Sequence, residues 1–326
     1  MKSRRAFIIG AGATAAAAAL PLDRLAEALE PALYPPMDLS YFDTPITPAP
    51  ADLQFGYASI TWDGHDRQAM DDIAAVGFKG IQLRSNVLAE FGDRPAALKD
   101  LLAQHRLTMV ALSSGGVSID PALASKTIDE RTRHARFVHD VGGIYLQVTD
   151  QKPKDRAVTA ADCVRLGRLL TEIGRRTADL GVPLGYHNHM GTIGEKPDDV
   201  TRILEAADPR YVKLELDVAH YQQGGGDPVG AIRRERDRLL FLHIKDVESP
   251  VPGATDGKPA YRFVELGRGT VDLPGVFAAL HDVTFRGWAV VELDSVPDKT
   301  RTPKQSATIS RQYLEHHGYL QAVGSH

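Results

Sequence analysis

Apolar positions along the chain follow two alternating periods, which predict the order of strands and helices. Short runs rich in Val, Ile and Leu alternate with stretches in which apolar residues recur at the helical spacing. The predicted strands are Gln54–Ser59, Gly80–Leu83, Thr108–Leu112, Ile144–Val148, Pro183–Asn188, Val212–Asp217, Leu240–Lys245 and Ala289–Leu293. The clearest predicted helices are Arg67–Val76, Ala96–His105, Lys126–Val141, Ala160–Leu180 and Pro197–Ala207. This alternation is typical of a parallel sheet with crossover helices.

The strand count favours a closed barrel over an open sheet. Eight strands, each followed by a helix, predict an α/β fold of the (β/α)₈ TIM-barrel type, forming a single domain over residues 51–326. A doubly wound sheet would instead place a glycine-rich phosphate loop after its first strand, and residues 59–64 (Ser-Ile-Thr-Trp-Asp-Gly) form no such loop. In a barrel, the active site lies at the C-terminal ends of the strands.

The N-terminal residues predict export rather than fold. Arg4 and Arg5 precede an apolar run over residues 8–20, as in a twin-arginine signal peptide, which we place at residues 1–32. The run is shorter than the roughly 20 residues of a membrane span, so no stable membrane anchor is expected. A proline-rich tether is predicted over residues 33–50. The expected location is the periplasm or the medium; an Ala-rich N-terminal helix is the alternative.

Composition narrows the range of partners. The 326-residue chain has a net charge of −4 and no basic stripe, so a nucleic-acid partner is not expected. Its single cysteine, Cys163, cannot form an internal disulfide and is expected to be a buried apolar side chain. A homo-oligomer is left open by the sequence.

Acidic and imidazole side chains gather at the predicted ends of the last four strands. They are His187, His189, Glu215, Asp217, His243, Lys245, Glu292 and Asp294. Because side chains alternate along a strand, residues two apart share a face and can converge inside a barrel. Mixed histidine and carboxylate ligands suit Mn, Co, Zn or Fe, and an oxygen-richer set suits Mg. The alternative is that the histidines are structural and the acids cap helices.

The same segments, in the same order, resemble a known family. They are Tyr186-His187-Asn188-His189, Leu216-Asp217-Val218-Ala219-His220, His243-Ile244-Lys245-Asp246, the run from Glu265 to Asp272, and Val291-Glu292-Leu293-Asp294. They resemble the xylose-isomerase-like barrels called sugar phosphate isomerases/epimerases. That group includes ketose 3-epimerases, hydroxypyruvate isomerase, inosose dehydratase and dehydroshikimate dehydratase. The resemblance extends from about Gln54 to Leu314.

The resemblance implies a divalent metal site. The ligands carried over by position are Asp217, His243 and Glu292. The family's fourth ligand is commonly a glutamate early on strand five, where this chain has Gly185, and we expect His187 in its place. The alternatives to His187 are Gln147 and His189. A second family glutamate, at the end of strand two, is Gln82 here, which argues against the epimerases' two-glutamate proton relay.

Proton transfer then requires other groups. A metal would act as a Lewis acid on a carbonyl, and the predicted proton-transfer residues are Lys245, His187 and His220. A cation beside Lys245 should disfavour its ammonium form; a salt bridge to Asp217 or Asp246 is the structural alternative. The predicted substrate contacts are Trp62, Arg84, Gln147 and His189. For Trp62, plain packing is equally expected.

The resulting prediction is a metal-dependent isomerase, epimerase or dehydratase acting on an unphosphorylated sugar, polyol or keto-sugar. The absence of the glutamate on strand five slightly favours dehydration or elimination over simple 1,2-isomerisation. The main alternative is a non-catalytic periplasmic sugar-binding barrel, which the amides Gln82 and Gln147 keep open. A barrel endonuclease is disfavoured by the acidic chain and by the absence of a second histidine cluster in the sequence.

Overall fold

Eight parallel strands close into a barrel in the computed structural model, which describes residues 53–250 and 261–320. The barrel strands are β1 (Gln54–Ala58), β2 (Gly80–Arg84), β3 (Thr108–Ser118), β4 (Tyr145–Gln151), β5 (Leu184–His187), β6 (Val212–Asp217), β7 (Leu239–Ile244) and β10 (Trp288–Val291). Each strand pairs with its neighbour along the chain, and β1 pairs with β10 to close the ring. The structure confirms the predicted single-domain TIM barrel. The predicted signal peptide and tether lie outside the described residues.

Helices follow the strands as a (β/α)₈ fold requires. They are α1 (Asp66–Val76), α2 (Leu88–Phe91), α3 (Pro95–His105), α4 (Ala124–Val141), α5 (Ala160–Ala178), α6 (Pro197–Ala206), α7 (Val218–Gln223), α8 (Pro228–Arg234), α9 (Leu273–Asp282) and α10 (Pro303–His316). Cys163 is buried in α5, as expected. Among the described residues, no helix combines the length and apolar character needed to cross a bilayer.

Two features differ from the sequence prediction. The strand β3 continues to Ser118, beyond the predicted end at Leu112. Its pairing with β4 shifts register between Ser113 and Gly116, where two consecutive glycines interrupt the apolar pattern. Two short strands, β8 (Asp246–Glu248) and β9 (Arg262–Val264), form an antiparallel hairpin between β7 and β10. With only three residues each, they carry too little periodicity to be predicted.

Apolar side chains fill the lower barrel interior. The rings of Tyr145 and Phe241 stack with their centroids 5.1 Å apart, and Trp288 belongs to the same cluster. A Cβ atom at Gly80 would lie 2.4 Å from the Trp288 ring, so only glycine lets β2 approach the indole this closely. Because this part of the barrel is packed, a substrate can reach polar side chains only at the upper strand ends.

Candidate metal centre

Four side chains converge at the ends of β5, β6, β7 and β10. Strand register sets their positions. Asp217 of β6 pairs with His243 of β7, and Val291, just before Glu292, pairs with Ile244, just after His243. One possible ligand atom from each of the four lies within 4.8 Å of the others, and all four side chains are buried. They are His187, Asp217, His243 and Glu292, the four residues predicted as metal ligands.

The donor atoms of this group fit a divalent cation. The Nδ1 atom of His243 lies 3.0 Å from Glu292 Oε2 and 3.6 Å from Asp217 Oδ2. Among the described residues, neither His243 Nδ1 nor Asp217 Oδ2 has a hydrogen-bond partner, although both are buried. Buried ligand atoms that lack a hydrogen-bond partner are expected where an ion binds. Two imidazoles and two carboxylates suit zinc, manganese, cobalt or iron.

Local backbone structure fixes Asp217 at the start of α7. Its Oδ1 atom accepts the His220 backbone N–H at 2.8 Å, which caps the helix and leaves Oδ2 facing the group. The Asn188 side chain accepts the Asp217 N–H at 3.0 Å and donates to its carbonyl oxygen at 3.2 Å. These contacts hold the ends of β5 and β6 together, and they thereby fix the distance between His187 and Asp217.

Glu215 lies beneath the group and was not assigned a role from the sequence. Its Oε1 atom is 2.9 Å from His243 Nε2, and its Oε2 atom is 3.1 Å from His187 Nδ1. Burial would raise the pKa of this carboxyl, but the two imidazoles lower it to about 2. Strand alternation places Glu215 on the same face as Asp217, and this feature of the sequence could have indicated that Glu215 lies near the metal group.

Lys245 lies directly above the group, fully buried. Its Nζ atom is 2.6 Å from Asp294 Oδ1, 2.9 Å from Glu292 Oε2 and 3.8 Å from Asp217 Oδ2. Burial alone would lower the pKa of Lys245, but these carboxylates raise it above its ordinary value. Without a cation in the group the ammonium form is therefore favoured, and the expected effect of a cation on Lys245 stays a prediction. Of the two salt-bridge partners considered, Asp217 is present and Asp246 is not.

Two histidines extend the group toward the mouth of the barrel. His220 Nε2 lies 3.2 Å from Lys245 Nζ, and the rings of His220 and His189 have centroids 3.8 Å apart. Burial lowers the pKa of His220 well below its ordinary value, and Lys245 lowers it further. Two further triads, His187 with His189 and His220, and His220 with Glu292 and Asp294, also have donor atoms within 4.8 Å of one another.

The predicted substrate contacts divide into two sets. Gln147 is buried on β4, and its Oε1 atom has no hydrogen-bond partner among the described residues, while His189 is half-buried beside His220. Trp62 is instead packed edge-to-face against Tyr57, and its indole N–H donates to Asp72 of α1 at 2.9 Å. The packing interpretation of Trp62 is thus the one the structure supports. Arg84 is exposed at the end of β2.

The hairpin β8–β9 brings one aromatic ring over the group. The Phe263 ring centroid lies 4.1 Å from Lys245 Nζ and 4.6 Å from the ring of His220.

Asp246, next to Lys245 in the chain, fixes the segment that follows the hairpin. Its carboxylate accepts backbone N–H groups from Val247, Gly267, Gly269 and Val271.

Comparisons with known proteins agree with this fold. A curated inosose dehydratase of Lacticaseibacillus casei is 25% identical, over 81% of this chain and 96% of the relative. The rhizopine catabolism protein MocC of Rhizobium meliloti is 28% identical, over 74% of this chain and 81% of that protein. A crystal structure of the IolI protein with a bound zinc atom matches with a TM-score of 0.68 at 17% identity, covering 83% of this chain and all of that one.

The family model described as xylose isomerase-like TIM barrel matches residues 70–316. This span takes in seven of the eight barrel strands and all four side chains of the candidate metal centre. The chain belongs to the xylose isomerase-like TIM barrel family.

Proposed function

We propose that this protein is a divalent-metal-dependent dehydratase that acts on an unphosphorylated cyclic keto-polyol of the inosose type. The observation that carries the proposal is the group His187, Asp217, His243 and Glu292, with Lys245 and His220 immediately above it. The inosose dehydratases among its relatives, aligned over about four-fifths of the chain, support an enzyme and this substrate class. The zinc atom of the IolI structure supports a divalent metal.

The four side chains would hold the metal, and Asp294 and Lys245 would lie beside it. A divalent ion there supplies Lewis-acid polarisation of a ketone oxygen, which acidifies the neighbouring C–H bond. Charge neutralisation also favours binding, because Asp217 and Glu292 are buried with a single lysine as their nearest fixed cation among the described residues.

Dehydration needs one group that accepts a proton and one that donates a proton. A base removes the proton from the carbon next to the carbonyl, the C–H electron pair forms a C=C bond, and the C–O bond of the adjacent carbon breaks. The departing hydroxyl takes a proton and leaves as water. We assign the acid to Lys245, whose ammonium is held by Glu292 and Asp294, and the base to His220. The rings of His187 and His189 both lie next to the ring of His220.

Deuterium exchange tests this function. We expect the zinc-, manganese- or cobalt-loaded protein to convert an inosose in D₂O with loss of water, and to place deuterium next to the carbonyl. A chelator should abolish both events, and mass spectrometry and NMR measure them. Exchange on a ketose without loss of water would replace the dehydratase by an epimerase. Binding of inososes and ketoses without exchange would overturn the enzyme and leave a sugar-binding barrel.

We also propose export by the twin-arginine route, from the sequence of residues 1–32. Replacing Arg4 and Arg5 with lysine should leave the protein in the cytoplasm at its precursor size. Cell fractionation and immunoblotting measure this, with Lys2→Arg as the control that should export normally. Periplasmic accumulation of the double variant would overturn the assignment.

A further inference from the structure

Glu215 is a fully buried carboxylate beneath the metal group, and the proposed reaction gives it no role. It lies on β6 two residues before Asp217, and it pairs across the sheet with His187 of β5. One of its oxygens faces His243 Nε2 at 2.9 Å, and the other faces His187 Nδ1 at 3.1 Å. A single carboxylate therefore contacts both histidines of the group.

The negative charge of Glu215 has no lysine or arginine ion-pair partner among the described residues. Neither of its oxygens has an aligned hydrogen bond within that part of the chain, so attraction to the two rings is what compensates the buried charge. Burying an ionised carboxylate is costly unless an opposite charge or a donor meets it. This position is thus tolerable for glutamate only while both imidazoles keep their near nitrogens turned toward it.

The orientation of each ring then decides which nitrogen is left for a ligand. His243 turns Nε2 toward Glu215 and toward Gln82 Oε1, which accepts at 2.9 Å, and turns Nδ1 toward Glu292 and Asp217. A protonated ring nitrogen cannot coordinate a metal, and the nitrogen that does coordinate is commonly opposite an N–H held by a carboxylate or amide oxygen. For His187, whose Nδ1 faces Glu215, the remaining nitrogen is Nε2.

We propose that Glu215 is a positioning residue that orients both histidines from below. His187 then binds the metal through Nε2 and His243 binds it through Nδ1. This inference rests on the proposed function only in requiring that the site binds a divalent metal. It adds a carboxylate that no ligand position of the family resemblance covers.

Zinc affinity, measured by competition with a chromophoric chelator, tests the role of the charge. Glu215→Gln keeps the shape and one acceptor oxygen, and Glu215→Leu removes both oxygens. We expect about 10-fold weaker zinc binding for the first and about 100-fold for the second, the range typical of partners that orient ligating histidines. Unchanged affinity in the Leu variant would overturn the inference.

Glu265→Gln is the matched control. Glu265 is an equally buried glutamate, but its carboxylate accepts from Arg301 and Ser306 and contacts none of the four ligands. Its loss should lower the thermal unfolding temperature while zinc affinity stays at the wild-type value. If both glutamate variants lose zinc affinity equally, the effect is one of folding and the inference falls.

A measurement on the wild-type protein does not depend on any variant folding. NMR of the ¹⁵N-histidine-labelled, zinc- or cadmium-loaded protein should identify Nε2 of His187 and Nδ1 of His243 as the metal-bound nitrogens. The reverse assignment for either ring, or direct coordination by Glu215 in a crystal of the zinc-loaded protein, would overturn this inference alone. Wild-type protein that binds no divalent metal would overturn the proposed function and this inference together.

Discussion

The two halves of the barrel mouth carry different chemistry. The ends of β5, β6, β7 and β10 present imidazoles, carboxylates and a lysine, whereas the inward positions of β2 and β4 present the amides Gln82 and Gln147. Both amides are as deeply buried as the ionisable groups opposite them. An amide can donate and accept hydrogen bonds but does not change its protonation state near neutral pH.

This asymmetry separates two tasks within one cavity. Metal binding requires imidazole or carboxylate ligands and proton transfer requires groups that change charge, so in the proposed function both tasks belong to the half formed by β5 to β10. Recognition of neutral hydroxyl groups requires fixed donors and acceptors, and Gln147 offers an oxygen that has no hydrogen-bond partner within the described part of the chain. The comparison predicts that substitutions on the ionisable side should affect metal binding and rate, whereas substitution of Gln147 should affect substrate affinity.

The largest effect is expected from removing a ligand on the ionisable side. Asp217→Ala should weaken zinc binding by more than the roughly 100-fold that loss of an orienting partner costs, because a direct bond is lost. Isothermal titration with zinc measures this. Asp282→Ala, on the exposed pair with Arg233, is the control and should bind zinc normally. Full zinc occupancy in Asp217→Ala would refute the assignment of this half as the metal side.

The next effect separates proton transfer from metal binding. Lys245→Met should slow the loss of water by about 10²–10⁴-fold, the contribution typical of an acid–base group, with zinc still bound. The rate of water loss and the metal content are measured on the same sample. Lys213→Met, on β6 and hydrogen-bonded to the Asp237 carbonyl oxygen, is the control. Loss of water at the wild-type rate in Lys245→Met would transfer the acid role to one of the histidines.

A smaller effect is expected on the amide side. Gln147→Leu should raise KM by up to about 10-fold, since a hydrogen bond contributes about 0.5–1.5 kcal/mol, and kcat should change little. Steady-state kinetics with an inosose measure both constants. Gln151→Leu, exposed at the end of the same strand, should leave them unchanged. A fall in kcat with KM unaltered would show that the two halves do not divide the tasks in this way.

The smallest effect concerns Trp62, which belongs to neither half. Trp62→Phe removes the hydrogen bond to Asp72 and should lower the free energy of unfolding by about 1 kcal/mol. Urea denaturation measures the stability, and KM for the substrate should stay constant. A raised KM with unaltered stability would restore the sugar-stacking role that the sequence left open.

The four candidate ligands could be predicted from the sequence because strand alternation and the family resemblance point to the same positions. Strand alternation placed the side chains inward, and the family resemblance pointed to Asp217, His243 and Glu292. Glu215 and Asp294 obey the same alternation, but their roles depend on which rings and ammonium group lie across the barrel. Those neighbours are set by register between strands, which local periodicity does not reveal.

Other features that the sequence left open depend on tertiary contacts. The packing of Trp62 depends on Asp72, one helix away, and no local pattern links the two residues. Phe263 reaches Lys245 because β9 pairs with β8, which begins at the residue after Lys245. The effect of a cation on the pKa of Lys245 stays a prediction, and the three carboxylates around the ammonium, which act in the opposite direction, could not be located from the sequence.

The adjacency of Lys245 and Asp246 has a consequence for altering this enzyme. Asp246 binds four backbone N–H groups, so the segment carrying Gly267 to Val271 is anchored one peptide bond away from Lys245. A change in that segment is expected to move Lys245 as well. In the proposed function, changes made there to alter substrate range would then also alter proton transfer, so directed evolution should randomise the lysine's surroundings and this segment in one library.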